Sequence, residues 1–375
     1  MILYVVIANQ DLVLRLFFAG ILLTRAKLLV IDEVSMGHKH IFEALDRSLR
    51  YVRGQGQKIF GGLTVLLAAD WRQCLPVIPR GGRGQIVNAC LKSSYLWRLI
   101  TPLSLTINMR VANMDNEVEF SDYLTKCGDG KLPRLDGKFQ IEIPSDLRFK
   151  GDLNCMIEWV FEGMQEHYRD QVWTSSRAII CPTNKTVDAI NSRVMDKFPG
   201  QEHMYRSFDS LEEDSHLYPL EYIHTLTPSG VPPHELKLKK GCPIMLMRNF
   251  DPYKGHCNGT KYIVVNLHSR IIEAKIASGP YKDNVLFIPR IVIKPSESTF
   301  PFQLKRKQFP VRPCFAITAN KSQGQTLGKV GICLERPFFS HGAYYVAQSR
   351  VGKKSSLKIM ADTQFTENVV YPEIL

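Results

Sequence analysis

"KLLVIDEVSM", residues 27–36, decides how this chain is read. Five residues of mostly apolar character run into an aspartate and then a glutamate. A short apolar run of this kind reads as a buried strand. A carboxylate at the C-terminal end of a parallel strand points into the crevice where ligands bind. Asp32 could hold Mg²⁺ through water, because Mg²⁺ keeps part of its hydration shell. Glu33 could polarise an attacking water. An ordinary strand followed by a solvated acidic turn fits these ten residues equally well, so the rest of the chain has to decide.

Outward from that strand, the first section alternates strand and helix signals. "KHIFEALDRSLRYV" (39–52) puts Ile41, Leu45, Leu49 and Val52 on one helical face. "LTVLLAAD" (63–70) reads as a second buried strand and "LSLTI" (103–107) as a third. Buried strands between amphipathic helices imply a parallel sheet covered on both faces. "EVEFSDYLTKCGDG" reads as a helix stopped by Gly128 as C-cap. "RAIICPTNKTVDAINSRVM" opens a second α/β section, a strand leading to a helix capped by Thr183 or Asn184. From 236 to about 308 short alternating runs such as "KYIVVNL" and "RIIEAKI" have the texture of a small antiparallel barrel. The α/β pattern resumes at 309. The expected division is 1–112, a connecting segment 113–176, a second α/β domain from 177–235 and 309–375, and a β insertion at 236–308.

Bulk composition narrows the partner. The chain has 375 residues, nearly half of them apolar, and a net charge of +12. That excess suits a polyanion, nucleic acid before an anionic membrane. The nine cysteines are scattered without a C-x-x-C pair, and neither they nor the ten histidines show zinc-ligand spacing. This pattern reads as reduced thiols. The apolar stretch "LVLRLFFAGILL" (12–23) is too short to span a bilayer and contains Arg15, so it reads as a buried helix or strand pair.

Further strand ends carry chemistry. "AADWRQCLPVIP" (68–79) places Arg72 and Gln73 just past the second strand, beside Asp32 and Glu33 if the strands are neighbours. A glutamine there can donate to a γ-phosphate oxygen. "LTINMR" (105–110) runs into Arg110, whose fork suits a phosphate. "AITANKSQGQTLGKVGICL" (316–334) reads as a helix ending at Gly324 and then a strand at 329–334. Its run Thr318, Asn320, Lys321, Ser322 and Gln323 is dense in donors for a sugar–phosphate backbone. "SHGAYYVAQSRVG" (340–352) reads as a helix with Ser340 as N-cap and Arg350 in the last turn.

Taken in order, "VIDEVSM", "ADWRQCLPVIP", "LTINMR", "NKSQGQTL" and "YVAQSRV" resemble motifs II to VI of superfamily 1B DNA helicases of the PIF (petite integration frequency) type. "FEALDRSLR", "NACLKSSYLW", "GCPIMLMRNFDPYKGHCNGT" and "FFSHGAYYVAQSRV" look like the branch encoded by Helitron transposons. The resemblance covers about 27 to 360. It implies an α/β fold of two RecA-like parallel-sheet domains, the first incomplete, with a small SH3-like β-barrel insertion in the second. It also implies ATP and Mg²⁺ as cofactors, and 5′-to-3′ movement on single-stranded DNA or DNA junctions. DNA repair, recombination or Helitron transposition in the nucleus would be the setting. Residue by residue, Asp32 matches the magnesium carboxylate, Glu33 the water-activating one and Gln73 the γ-phosphate sensor. Arg110 and Arg350 match the phosphate-reaching arginines. Thr318, Asn320, Lys321 and Ser322 match the motif coupling DNA contact to the nucleotide, with Gln323 and Gly324 on its nucleotide side.

The sequence also departs from that pattern. The family's phosphate loop, G-x-x-x-x-G-K-[ST], cradles the β-phosphate before motif II. No G-K-S or G-K-T occurs in the 375 residues, and 26 residues precede "KLLVID". Ala68 and Ala69 stand where the family usually has a glycine pair, and Gln348 where it has an aliphatic residue. The expectation is a truncated gene model or a decayed or repurposed transposon copy, poor in ATP turnover. The alternative function is a non-catalytic single-stranded DNA-binding remnant.

Overall fold

The computed structural model describes residues 22–105, 117–135, 139–211, 218–228, 230–295, 300 and 302–375. The chain divides into two compact units. One is drawn from Met1–Glu142, Pro337–Ser349 and Phe365–Leu375, the other from Ile143–Arg336 and Arg350–Gln364.

The first unit carries β1 (Leu28–Ile31) and β2 (Thr64–Leu67), paired in parallel from Leu28–Thr64 to Ile31–Leu67. The helix between them is Lys39–Val52, with the bounds read from sequence, and His38 Nδ1 caps it by accepting from the His40 amide. Its buried face differs from the expected one. Phe42, Asp46 and Leu49 are buried, whereas Ile41 and Val52 are exposed. A carboxylate can occupy that stripe because it is fully partnered. Asp46 accepts from Arg50 Nε (2.9 Å), the Phe60 amide (2.6 Å) and the Tyr95 hydroxyl (2.7 Å). Burial disfavours the charge, and these bonds outweigh it to hold the pKa below the usual carboxylate range.

Neither strand is buried on both faces as expected. Leu28, Val30 and Leu66 are 55%, 54% and 47% exposed. Side chains alternate across a strand, and the core of Ile31, Phe42, Leu49, Phe60 and Leu91 covers the other face. The third expected strand is not there in its described part, since Leu103–Leu105 has no strand pairing and both leucines are exposed. Thr106 and Ile107 lie outside the described residues, as does most of the apolar stretch 12–23. The helix Val118–Gly128 ends one residue later than expected, with Asp129 at the C-cap and Gly130 taking the positive φ of 68°. Gly128 stays helical and is pressed against Arg72, where a Cβ would meet the side chain at 2.7 Å.

The second unit is centred on a four-stranded parallel sheet in the order Ala316–Thr318, Arg177–Cys181, Lys329–Leu334, Leu357–Ala361. The helix Asn184–Lys197 follows its first strand in sequence, with Thr183 as N-cap accepting from the Thr186 amide. Leu153–Val160 packs on Lys329–Leu334 so closely that a Cβ on Gly331 would lie 2.6 Å from Met156 Sδ. The β region is antiparallel, as its alternation predicts. It has one five-stranded sheet, Val285–Pro289, Ile271–Ile276, Lys261–Leu267, Pro243–Leu246 and Val311–Pro313. A three-stranded sheet joins Ile291–Ile293, Leu304–Gln308 and Phe208–Leu211. Strand pairing thus reaches past 236–308 on both sides, because Leu304–Gln308 needs Phe208–Leu211 as its partner. Arg306 is fully buried and spends all five donors, on Asp209 and on the carbonyls of Ile223, Leu226 and Pro232.

Candidate functional site

In the first unit the ends of β1 and β2 are stitched together. The Ala68 amide donates to the Ile31 carbonyl (2.8 Å), and the Val34 amide to the Ala68 carbonyl (3.0 Å). Asp32–Glu33 and the turn Asp70–Gln73 therefore leave the sheet side by side. Asp32 is exposed and caps the Glu33 amide with Oδ1 at 2.8 Å. Its Oδ2 has no hydrogen-bond partner among the described residues. Glu33 sits at φ 55°, ψ 40°, the left-handed region, which costs a non-glycine residue about 1 kcal/mol or more. Strain at such a position points to a constraint on where the side chain must be.

On the neighbouring turn, Asp70 organises the loop. It accepts from the Arg72 amide (3.1 Å), from Gln73 Nε2 (3.2 Å) and from the Tyr345 hydroxyl (3.2 Å). Arg72, which the sequence placed near the carboxylate pair, instead pairs with Asp129 at 2.6 Å. Arg110 lies outside the described residues.

In the second unit the polar run follows the strand Ala316–Thr318 as a single turn of helix, Ala319–Ser322, and Gly324 ends it at φ 72°. Ser322, matched by sequence to the DNA-coupling motif, lies inside this turn. It is fully buried, and its hydroxyl donates to the Ala319 carbonyl at 2.7 Å, which shapes the turn. The position of Arg350 relative to its helix differs from the sequence reading. The helix is Ala343–Gln348 with Gly342 as N-cap, so Ser340 does not cap it and Arg350 stands beyond its end. Arg350 is buried, with Nη1 near the carbonyls of Ser322 (3.5 Å) and Gln325 (3.3 Å). Gln348 is fully buried with two long contacts, Cys127 Sγ at 3.5 Å and the Tyr344 carbonyl at 3.4 Å. Its Oε1 has no partner among the described residues.

Sequence reasoning missed a basic pocket of about 180 Å³ beside this turn, lined by Asn184, Met247, Arg248, Asn258, Arg312 and Lys321. Lys321 is solvent-reached at its surface. Partial desolvation and then the neighbouring Arg312 lower its pKa. Burial raises the pKa of Asp188, which pairs with Arg312 at 3.4 Å. Three cations and two amides around a small concavity suit a phosphate. These residues are spread over some 140 positions, so no local pattern announces them.

One metal-like cluster occurs among the described residues, Asp209 with His224 and His234. Its geometry argues against coordination. Asp209 is engaged by Arg306 and by the Ser207 hydroxyl, and the two imidazoles stack face to face at 3.7 Å and 11°. Stacked rings do not aim their nitrogens at a common point.

The profile of the PIF1-like helicase family matches residues 19–138, and that of the 2B domain of DNA helicase Pif1 matches residues 221–267. The ATP-dependent DNA helicase PIF1 of Xenopus laevis is 26% identical over 343 residues, covering 90% of this chain and 47% of that protein. The human protein of the same name is 25% identical, covering 88% and 46%. The chain thus spans about half the length of the curated relatives it matches. In fold it is similar to the crystal structure of Bacteroides Pif1 bound to ssDNA, with a TM-score of 0.65 at 22% identity over 96% of this chain and 76% of that one. A second Bacteroides Pif1 structure, in complex with ADP-AlF3 and ssDNA, gives 0.64 at 22% identity, with 98% and 77% covered. These similarities, with the ordered strand-end motifs, support a PIF1-type superfamily 1B helicase.

Proposed function

We propose that this chain is the motor segment of an ATP-dependent, 5′-to-3′ DNA helicase acting on single strands and junctions in nuclear DNA repair, recombination or Helitron transposition. The observation that carries the reading is the junction of β1 and β2. Two hydrogen-bonded parallel strands deliver Asp32, the strained Glu33 and the Gln73 turn to one edge. Asp32 Oδ2 is free of protein partners among the described residues, which fits a water-shelled Mg²⁺ that would offset phosphate charge. Glu33 orients the attacking water, and Gln73 reads the γ-phosphate. Arg110 and Arg350 supply positive charge, Arg350 by exchanging its carbonyl partners for a phosphate. Gln323 and Gly324 border the nucleotide. Thr318, Asn320 and Lys321 face the DNA, with the Arg248–Arg312–Lys321 pocket taking a backbone phosphate. The four-segment domain division and an SH3-like barrel in the β region belong to the same proposal.

A second reading is single-stranded DNA binding without turnover. The absence of G-K-S or G-K-T within these 375 residues favours it for this segment alone, because phosphoryl transfer rests on positioning and charge stabilisation. ATP hydrolysis by the purified segment, with and without single-stranded DNA and beside Glu33→Gln, separates the two. DNA-stimulated turnover lost in Glu33→Gln supports the motor. Salt-sensitive DNA binding with no turnover above that control supports the binding module. No helix among the described residues is long and apolar enough to cross a membrane.

A further inference from the structure

His341 is 1% exposed and makes two hydrogen bonds, both to backbone. Its Nδ1 accepts from the Tyr371 amide at 2.8 Å. An atom that accepts from an N–H carries no proton, so the proton sits on Nε2, which donates to the Trp71 carbonyl at 2.8 Å. Burial lowers the His341 pKa, as does Arg83, while the Trp71 carbonyl, Glu373 and Asp70 oppose it. The ring is thus held neutral and in one tautomer.

Two more contacts from the same segment fall on the same turn. Gly342, at φ 70°, lies so close that a Cβ there would overlap the Arg72 carbonyl oxygen and sit 2.7 Å from the Gln73 carbonyl carbon. Tyr345 donates to Asp70 Oδ2, the oxygen that also accepts from Gln73 Nε2. The turn's far side is fixed by Trp71, which packs edge-on against Trp97 at 5.7 Å.

We propose that His341 is a positioning residue for Gln73. It latches the Trp71 carbonyl, and so sets the height of the Asp70–Gln73 turn against the segment that leads into Arg350. A phosphate sensor must be placed to within a fraction of an ångström, and a side chain held through Asp70 is only as fixed as the turn beneath it. The nucleotide-sensing consequence rests on the reading of Gln73 proposed above. The latch itself does not.

The test uses two isosteric halves of the imidazole in the full chain. His341→Gln presents a donor where Nε2 stood and keeps the bond to Trp71. His341→Asn presents an acceptor where Nδ1 stood and keeps only the bond to Tyr371. Amide hydrogen exchange at Arg72 and Gln73 is the first readout and needs no activity. His341→Asn is expected to speed exchange there about tenfold, the worth of one buried hydrogen bond, with His341→Gln within about twofold of the parent. The second readout is the ratio of ATP to ADP affinity, by displacement of a fluorescent nucleotide. It should fall in His341→Asn and hold in His341→Gln. Equal exchange in both variants, or faster exchange in His341→Gln, would overturn the latch and leave His341 as a cap for Tyr371. If the parent shows no preference for ATP, the sensing role falls with the reading of Gln73, and the exchange result alone decides the latch.

Discussion

Replacing Gln348 by leucine should stabilise the first unit. The side chain is fully buried, and its Oε1 has no partner among the described residues. A buried acceptor left unmade costs about 1–3 kcal/mol. Against this stand two contacts at 3.4 and 3.5 Å, the long edge of what counts as a hydrogen bond. Together they are worth about 0.5–1 kcal/mol. Leucine forfeits them and leaves little unpaired. Burial pushes the Cys127 thiol up to about 12, so it stays a neutral thiol, and its sulfur is only a weak acceptor for Gln348 Nε2. The net expectation is a gain of about 1 kcal/mol. Urea unfolding followed by Trp71 and Trp97 emission, with Trp159 and Trp173 changed to phenylalanine, reads this unit separately. A midpoint that falls or does not move in Gln348→Leu would mean that Oε1 is satisfied and that the reasoning is wrong.

Arg306→Met should destabilise the β region by about 3–5 kcal/mol, because it leaves Asp209 charged and buried. Arg306→Met with Asp209→Leu should recover much of that, and hydrogen exchange in Leu304–Gln308 would show it. The same region should weaken in mild acid. Burial, the stacked His224 and Arg306 lower the His234 pKa, only partly opposed by Asp209 and Glu235. A folded-state pKa below the unfolded value near 6.5 gives stability that is whole above that value and is lost as pH falls through it. Exchange protection in Phe208–Leu211 should therefore drop as pH falls below about 6.5, and less so in His234→Gln. Lys321→Ala and Arg248→Ala should each weaken single-stranded DNA binding and flatten its logarithmic salt dependence by about 0.7. An unchanged slope would remove the pocket from the DNA path.

Local signals were legible in the sequence, and long-range ones were not. The strand Leu28–Ile31, the helix Lys39–Val52 and the Thr183 cap follow from runs, period and side-chain chemistry over a few residues. The buried face of that helix was misread because counting apolar residues cannot see that Asp46 is paired with Tyr95, 49 positions away. Ser340 reads as the N-cap on side-chain chemistry, whereas the structure puts Gly342 there, where the close approach of the 72–73 backbone demands a residue without a Cβ. Ser322 matched a DNA-contacting motif, yet its hydroxyl is spent on its own turn. The Arg248–Arg312–Lys321 pocket exists only once the β region has folded back beside the parallel sheet.

The first unit is sewn from three separated stretches of chain, and this bears on how it is made. Its small core of Leu75 and Cys90 is closed by Tyr371 and Ile374, and Arg83 pairs with Glu373. A ribosome that has finished Ile143–Arg336 has supplied most of the second unit, but the first still waits for its last wall. Chains fold as they emerge, so Leu75 and Cys90 are made before Ile143–Arg336 and packed after it. Until then the apolar face of Leu75 and Cys90 stays open to chaperones, and loss of Tyr371 and Ile374 would injure packing at residues far upstream of them.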